Sequence, residues 1–195
     1  MTAKPTGTDT TKPINSYFDP YLQMDAVKIM PGEFCVTSGA KLIVTVLGSC
    51  VTACIRDRSN GISGMNHFML ANLNESRRPS GFVFSYGIVA METLIQRLLQ
   101  IGAQRENLEA KVFGGGSILN KFNASNVGSS SARFVHDYLI AEQIPVVAKD
   151  VLDLYPRKVY FFPDSGKVMV KKLKSLNNET IIQREQEYSA RLFAS

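Results

Sequence analysis

A thiol and an imidazole fall close together in one stretch of this chain. Thr45 to Leu70 reads Thr-Val-Leu-Gly-Ser-Cys-Val-Thr-Ala-Cys-Ile-Arg-Asp and, after a short turn, Gly-Ile-Ser-Gly-Met-Asn-His-Phe-Met-Leu. It holds one of the two histidines and two of the three cysteines. Cys50 follows a Gly48-Ser49 bend, and His67 lies inside the next apolar run. A cysteine nucleophile works as its thiolate, and a free thiol has a pKa of about 8.5, so a neighbouring imidazolium or a positive dipole must lower it. His67 can do that, hold the thiolate as an ion pair and then protonate a leaving amine. The ring needs a second partner to fix its orientation. Asn66 is adjacent but points to the opposite face of a strand, whereas a hydroxyl such as Thr45 could serve. The Gly48-Ser49 bend could leave backbone N–H groups free to face an oxyanion. Against this stands the plain alternative that a buried cysteine is usually inert packing, which is the reading kept for Cys35 and Cys54.

These side chains need strands to carry them. Leu42 to Val46 is apolar and β-branched, as a buried strand should be. If Val51 to Ile55 is also a strand, Cys50, Thr52 and Cys54 share one face, and Val51, Ala53 and Ile55 the other. Asn60-Gly61 is a hairpin turn signal, and Gly64 to Leu70 returns with His67 on the face of Met65 and Met69. Ahead of them lie strand candidates at Ala26–Met30 and Glu33–Thr37, separated by Pro31-Gly32.

Ala71 to Gly81 reads as a polar loop. Ser85 to Ile101 follows helical spacing through Ile88, Met91, Ile95, Leu98 and Leu99, with Gly102 as terminator. Lys111 to Phe113 is a strand entering Gly114-Gly115-Gly116, where backbone must bend or approach something closely. Ser131 to Gln143 is a second helix capped from the Ser129–Ser131 run. Pro145–Val151 is a strand, and Lys158–Phe162 with Lys167–Leu173 form a hairpin. Asn177 to Phe193 is helical and polar on most faces, either docked or loose. The order is not strict βαβ alternation, so the expected fold is α+β: a layered sandwich of mixed and antiparallel strands with two main helices. Residues 1–24 are expected to be a flexible tail, 25–174 the catalytic domain and 175–195 a C-terminal helix or tail.

The chain has 195 residues, 45% of them hydrophobic, which suits one globular domain with tails. No apolar run reaches the roughly 18 residues a membrane-spanning helix needs, and the polar N-terminus lacks the apolar core of a signal peptide. A cytoplasmic protein with no membrane insertion is therefore expected. Three cysteines without a Cys-x-x-Cys or His-x-x-x-His spacing suggest neither a disulfide framework nor a zinc site. The net charge of +5 is scattered, apart from a run at Lys167, Lys171, Lys172 and Lys174 that reads as a solvated strand face. Nucleic acid is not an expected partner.

Leu47-Gly48-Ser49-Cys50-Val51, the turn with Asp57, and Gly64-Met65-Asn66-His67-Phe68-Met69-Leu70 closely resemble CheD, the chemoreceptor glutamine deamidases of bacterial chemotaxis. The likeness runs from about Val27 to Leu173. It includes Val27-Lys28-Ile29-Met30-Pro31-Gly32-Glu33, Tyr86-Gly87, Lys111 to Gly116, Lys158-Val159-Tyr160-Phe161 and Gly166-Lys167-Val168. The resemblance implies Cys50 as nucleophile, His67 as general acid/base and Thr45 as its partner. It implies hydrolysis of glutamine side-chain amides in chemoreceptor cytoplasmic domains, without a cofactor. The fold implied is related to the deamidating bacterial toxins, and a CheC-type phosphatase is the implied regulatory partner. Two positions depart from the family. After the strand ending near Val151, where the family usually shows a glycine pair, this chain reads Leu152-Asp153-Leu154-Tyr155-Pro156-Arg157, and after Val127-Gly128, where Arg-Asn is common, it reads Ser129-Ser130-Ser131. A regulatory binding module with little turnover and a cysteine peptidase are the alternative functions.

Overall fold

The computed structural model describes residues 15–70, 80–118, 127–173 and 179–194. In chain order these form β1 (Asn15–Asp19), β2 (Met24–Lys28), β3 (Phe34–Thr37), β4 (Leu42–Leu47), β5 (Val51–Asp57) and β6 (Ser63–Asn66). Helix α1 (Ser80–Gln100), a 3-10 turn (Arg105–Asn107), β7 (Leu108–Gly114) and α2 (Val127–Ala141) follow. The chain continues through β8 (Val146–Val151), β9 (Arg157–Phe162), β10 (Lys167–Lys172) and α3 (Glu179–Ala194).

The described strands make two five-stranded sheets, ordered β1-β2-β4-β9-β10 and β3-β6-β5-β7-β8. The β2–β4 and β7–β8 pairs are parallel and the rest antiparallel. This is the α+β layered architecture expected from the strand-rich, non-alternating order. Period-2 alternation sorts the residues of β5. Cys54 faces the other sheet with Met65, Ile43 and Phe161, while Val51, Ala53 and Ile55 face α1 and α2. Helix α1 buries Met91, Leu94, Ile95 and Leu98 at i, i+3, i+4, i+7 and stops at Gly102, whose φ of 105° is left-handed.

Several boundaries differ from the sequence reading. Sheet pairing reaches back to Asn15 through β1, inside the stretch read as a tail. Helix α1 starts at Ser80 rather than Ser85, and Ile88 is turned outward; the loop expected over 71–79 lies outside the described residues. Helix α2 starts at Val127, so the three serines sit within its first turns and do not cap it. Ser131 is fully buried there, and its hydroxyl accepts the Leu70 N–H at 3.0 Å, anchoring the chain just past His67. The C-terminal helix is docked.

The glycine run shows why close approach matters. Gly114 has φ 105°, and a Cβ there would lie 2.3 Å from the Cys50 carbonyl oxygen. Gly115 N–H donates to Cys50 O and Gly116 N–H to Gly48 O, both at 2.7 Å. One strand further, the backbone is left-handed at Leu152 (φ 69°) and Asp153 (φ 74°). A left-handed non-glycine residue costs about 1–2 kcal/mol.

Two substitutions read these constraints in opposite directions. Gly114→Ala should destabilise the chain by more than ~2 kcal/mol in urea unfolding, because neither its φ nor its space admits a methyl group. Leu152→Gly should be neutral or stabilising by up to ~1 kcal/mol, since relief of the backbone outweighs the greater freedom of the unfolded chain.

Candidate active site

Thr45, Cys50 and His67 come from three different places. Thr45 is on β4, in the sheet opposite to β5. Cys50 is the residue before β5. His67 follows β6, with its N–H donating to Glu33 O at 2.9 Å and its carbonyl accepting the Gly32 N–H at 2.7 Å. All three are buried, and no more than 2% of any of them is exposed. Asn66 points the other way, as its strand position requires. Its side-chain oxygen accepts the Ala53 N–H and its amide reaches Ala90 O, so it joins β5 to α1.

The hydrogen bonds at Thr45 decide the state of the ring. Thr45 Oγ1 donates to Ile29 O at 2.9 Å, and a carbonyl can only accept. The hydroxyl has one proton, so at its 2.7 Å contact with His67 Nδ1 it must be the acceptor. His67 Nδ1 therefore carries the ring proton and Nε2 a free lone pair. Nε2 is buried with no hydrogen-bond partner among the described residues. Burial lowers the His67 pKa to about 3, so the imidazole is neutral.

At Cys50 the chain turns over a close contact. Gly48 does not have a left-handed φ; it is required for space, since a Cβ would meet Ile118 Cδ1 at 2.0 Å. The turn aims three N–H groups at one point. Gly48 and Cys50 donate to Glu185 Oε1 at 2.9 and 3.0 Å, and Ser49 donates to Glu185 Oε2 at 2.8 Å. Glu185 belongs to α3 and is itself only 1% exposed. The Cys50 sulfur, a His67 ring nitrogen and a Glu185 oxygen all lie within 4.8 Å of one another. Burial pushes the Cys50 thiol well above its usual pKa, and the Glu185 carboxylate adds to the effect. The pair is thus a neutral thiol beside a neutral imidazole, not the thiolate–imidazolium ion pair considered from sequence.

Cysteine, histidine and glutamate are also metal-ligating types. Here both carboxylate oxygens already accept backbone N–H groups, and a cation would face the positive ends of those dipoles. The turn is built for an anion. Cys35 and Cys54 remain packing residues. Burial raises the Cys35 thiol to about 11 and carries Cys54 higher. His136 is on α2, beside Asp137 at 3.6 Å and away from this cluster. Glu185 was invisible to sequence reasoning, because nothing in a polar helix marks one glutamate as buried.

The chain has clear relatives among known proteins. The profile of a family described as CheD chemotactic sensory transduction matches residues 69–172, a little more than half of the chain. A protein of Thiobacillus denitrificans named "Probable chemoreceptor glutamine deamidase CheD" is 56% identical over 91% of this chain and 89% of its own length. A Herminiimonas arsenicoxydans protein of the same name is 56% identical over 91% and 88%. One from Ralstonia nicotianae is 45% identical over 93% and 78%.

The buried neutral histidine makes stability depend on pH. The unfolded chain takes up a proton at a pKa near 6.5, the folded chain only at about 3. Stability from this group is complete above about pH 6.5 and is lost as pH falls towards 3, with a slope approaching ~1.4 kcal/mol per pH unit. Urea unfolding between about pH 7 and pH 5 should show this decline, and His67→Gln should remove that part of it. Superimposable wild-type and variant profiles would mean that the imidazole is not held neutral by burial.

Proposed function

The chain belongs to the CheD family, and we propose that it hydrolyses side-chain amides of specific chemoreceptor glutamines to glutamate, with Cys50 as nucleophile and His67 as its acid–base partner. The observation that carries the reading is the chain Ile29 O, Thr45 Oγ1, His67 Nδ1, which leaves Nε2 unprotonated on a ring with a nitrogen within 4.8 Å of the Cys50 sulfur. As the sulfur attacks the amide carbon, its proton passes to Nε2. The oxygen that gains charge is held by the N–H groups of the Gly48–Cys50 turn, which converge on the point that the Glu185 carboxylate fills in the resting chain. His67 then protonates the departing nitrogen, and ammonia leaves a thioester on Cys50. Water, deprotonated by the same Nε2, attacks the thioester and releases glutamate and the thiol. Thr45 touches no reacting atom. It is a positioning residue that holds the tautomer.

The reaction turns a neutral receptor side chain into an anion. Acting on receptor cytoplasmic domains would have the protein work in the cytoplasm; no helix among the described residues is long and apolar enough to cross a membrane. The family resemblance supports a CheC-type phosphatase as a second partner. Residues 25–174 form the catalytic unit, to which β1 and α3 add an edge strand and a cover.

Incubating a receptor cytoplasmic fragment with the protein should give the mass gain of NH₂ replaced by OH at particular glutamines. Cys50→Ala should lower the rate at least about a thousandfold. Hydrolysis by neither protein on several receptors, with undiminished pull-down by both, would overturn the enzyme in favour of a binding module. Thr45→Val should reduce kcat by roughly tenfold or more with little change in KM, and Thr45→Ser should restore it. A Thr45→Ser variant as slow as Thr45→Val would remove the hydroxyl from the mechanism.

A further inference from the structure

Helix α3 covers the nucleophile with one face. Ile181, Glu185, Tyr188 and Leu192 follow i, i+4, i+7, i+11 spacing. Ile181 and Glu185 close over His67, leaving a seam of only about 10 Å³. Tyr188 lies on Gly32, where a Cβ would meet its ring at 2.8 Å. Leu192 joins the core beside α1. Beyond Tyr188 the cover opens into a cleft of about 340 Å³ between α3 and α1, reaching His67 and walled by Tyr86, Val89 and Thr93 on the α1 side.

The helix is otherwise lightly held. Gln183, Gln186, Glu187, Ala190 and Arg191 are exposed, and α3 makes no extensive backbone approach to any strand or helix among the described residues. Its buried charge is what stands out. A buried carboxylate costs stability unless it is hydrogen-bonded, and packing alone would favour an apolar residue at 185. The carboxylate instead takes the three N–H groups of the nucleophile's own turn. Three N–H groups converging beside a nucleophile are the geometry of an oxyanion hole. A glutamate side chain is what glutamine hydrolysis leaves behind, with the same number of bonds from backbone to carboxyl carbon.

We propose that the surface beneath α3 is where the substrate helix docks, and that α3 fills it as an intramolecular mimic of the product, with Glu185 standing where the target glutamine ends as glutamate. The identity of that side chain rests on the deamidase reading; that α3 covers Cys50 does not. The register follows from α3. A substrate helix carries apolar or aromatic residues four positions before its glutamine and three and seven after it. The resting chain is closed, and α3 must yield before a receptor binds. Its departure also takes away a carboxylate that, together with burial, keeps the Cys50 thiol protonated.

The test uses the full chain. Alkylation of each cysteine by iodoacetamide is followed by peptide mass mapping in wild type and Glu185→Ala. Cys50 should react at least about tenfold faster in the variant, with Cys35 and Cys54 unchanged as a check on the fold. An unchanged Cys50 rate would overturn the cover. If Cys35 and Cys54 also speed up, Tyr188→Ala, which loosens α3 over Gly32 without altering the residue at 185, replaces Glu185→Ala in the comparison and is judged by the same criterion.

Glu185→Gln makes α3 a substrate. Cys50 should attack the carbon of the amide introduced at position 185, ammonia should leave with the proton relayed by His67, and water should cleave the thioester. The chain should then show the NH₂-to-OH mass gain at that position, and Glu185→Gln combined with Cys50→Ala should keep its amide. Faster alkylation in Glu185→Ala without hydrolysis of the amide in Glu185→Gln would overturn the product mimicry and leave α3 a simple cover. Unmasking of Cys50 in Glu185→Ala, with no receptor hydrolysis by any variant, would overturn the deamidase reading and leave the cover standing.

Discussion

The site depends on two backbones brought close enough to hydrogen-bond without side chains between them. Gly115 and Gly116 donate to the carbonyls of Cys50 and Gly48. With those carbonyls held on one side, the N–H groups of Gly48, Ser49 and Cys50 turn to the other and converge. The approach admits no side chain on the glycines. A Cβ at Gly114, Gly115 or Gly116 would meet backbone at 2.3, 2.7 or 2.9 Å. Gly128 at the start of α2 is under the same restriction, with Gly115 O at 2.7 Å from its would-be Cβ. On the far side, Arg157 is fully buried and its guanidinium holds Asp150 through Nε and Nη2 at 3.0 and 2.8 Å. That pair steadies the segment whose Leu152 N–H donates to Gly114 O.

Around this frame a thiol, an imidazole and a carboxylate meet in a closed setting. A thiol and an imidazole that deep favour their neutral forms, because burial penalises each charged form. The Thr45 hydroxyl spends its only proton on Ile29 O, which forces the ring proton onto Nδ1. The imidazole is thereby oriented by a neutral group. An aspartate in place of Thr45 would stabilise imidazolium, whereas a hydroxyl leaves the ring neutral. The negative charge in the resting site sits on Glu185, where three N–H dipoles compensate it.

Local pattern carried most of the fold's legible part. The alternation in β5 separates Cys50, Thr52 and Cys54 from Val51, Ala53 and Ile55, and the structure places Cys50 and Cys54 in one core and Val51, Ala53 and Ile55 in the other. Where the reading missed, longer-range packing decided. Ile88 fits the helical stripe of α1 but lies at its edge and faces outward. The serines of α2 resemble a cap, yet Val127 and Gly128 are already helical, because Gly128 must lie against Gly115. At the bend before Cys50, Gly48 supplies space rather than a left-handed φ.

Residue types and their short spacings determined the chemistry available to this chain: a thiol after a Gly-Ser bend, an imidazole one hairpin later and a threonine one strand earlier. Neighbours in sequence come together through turns, so their meeting could be read from periodicity and turn signals. Glu185 meets Gly48 across 137 positions. No local preference selects that contact. It exists because the two sheets and their helices close around the Cys50 turn and leave its N–H groups facing the inner side of α3. Only the tertiary structure could decide that a polar terminal helix would place a buried carboxylate on the Cys50 turn.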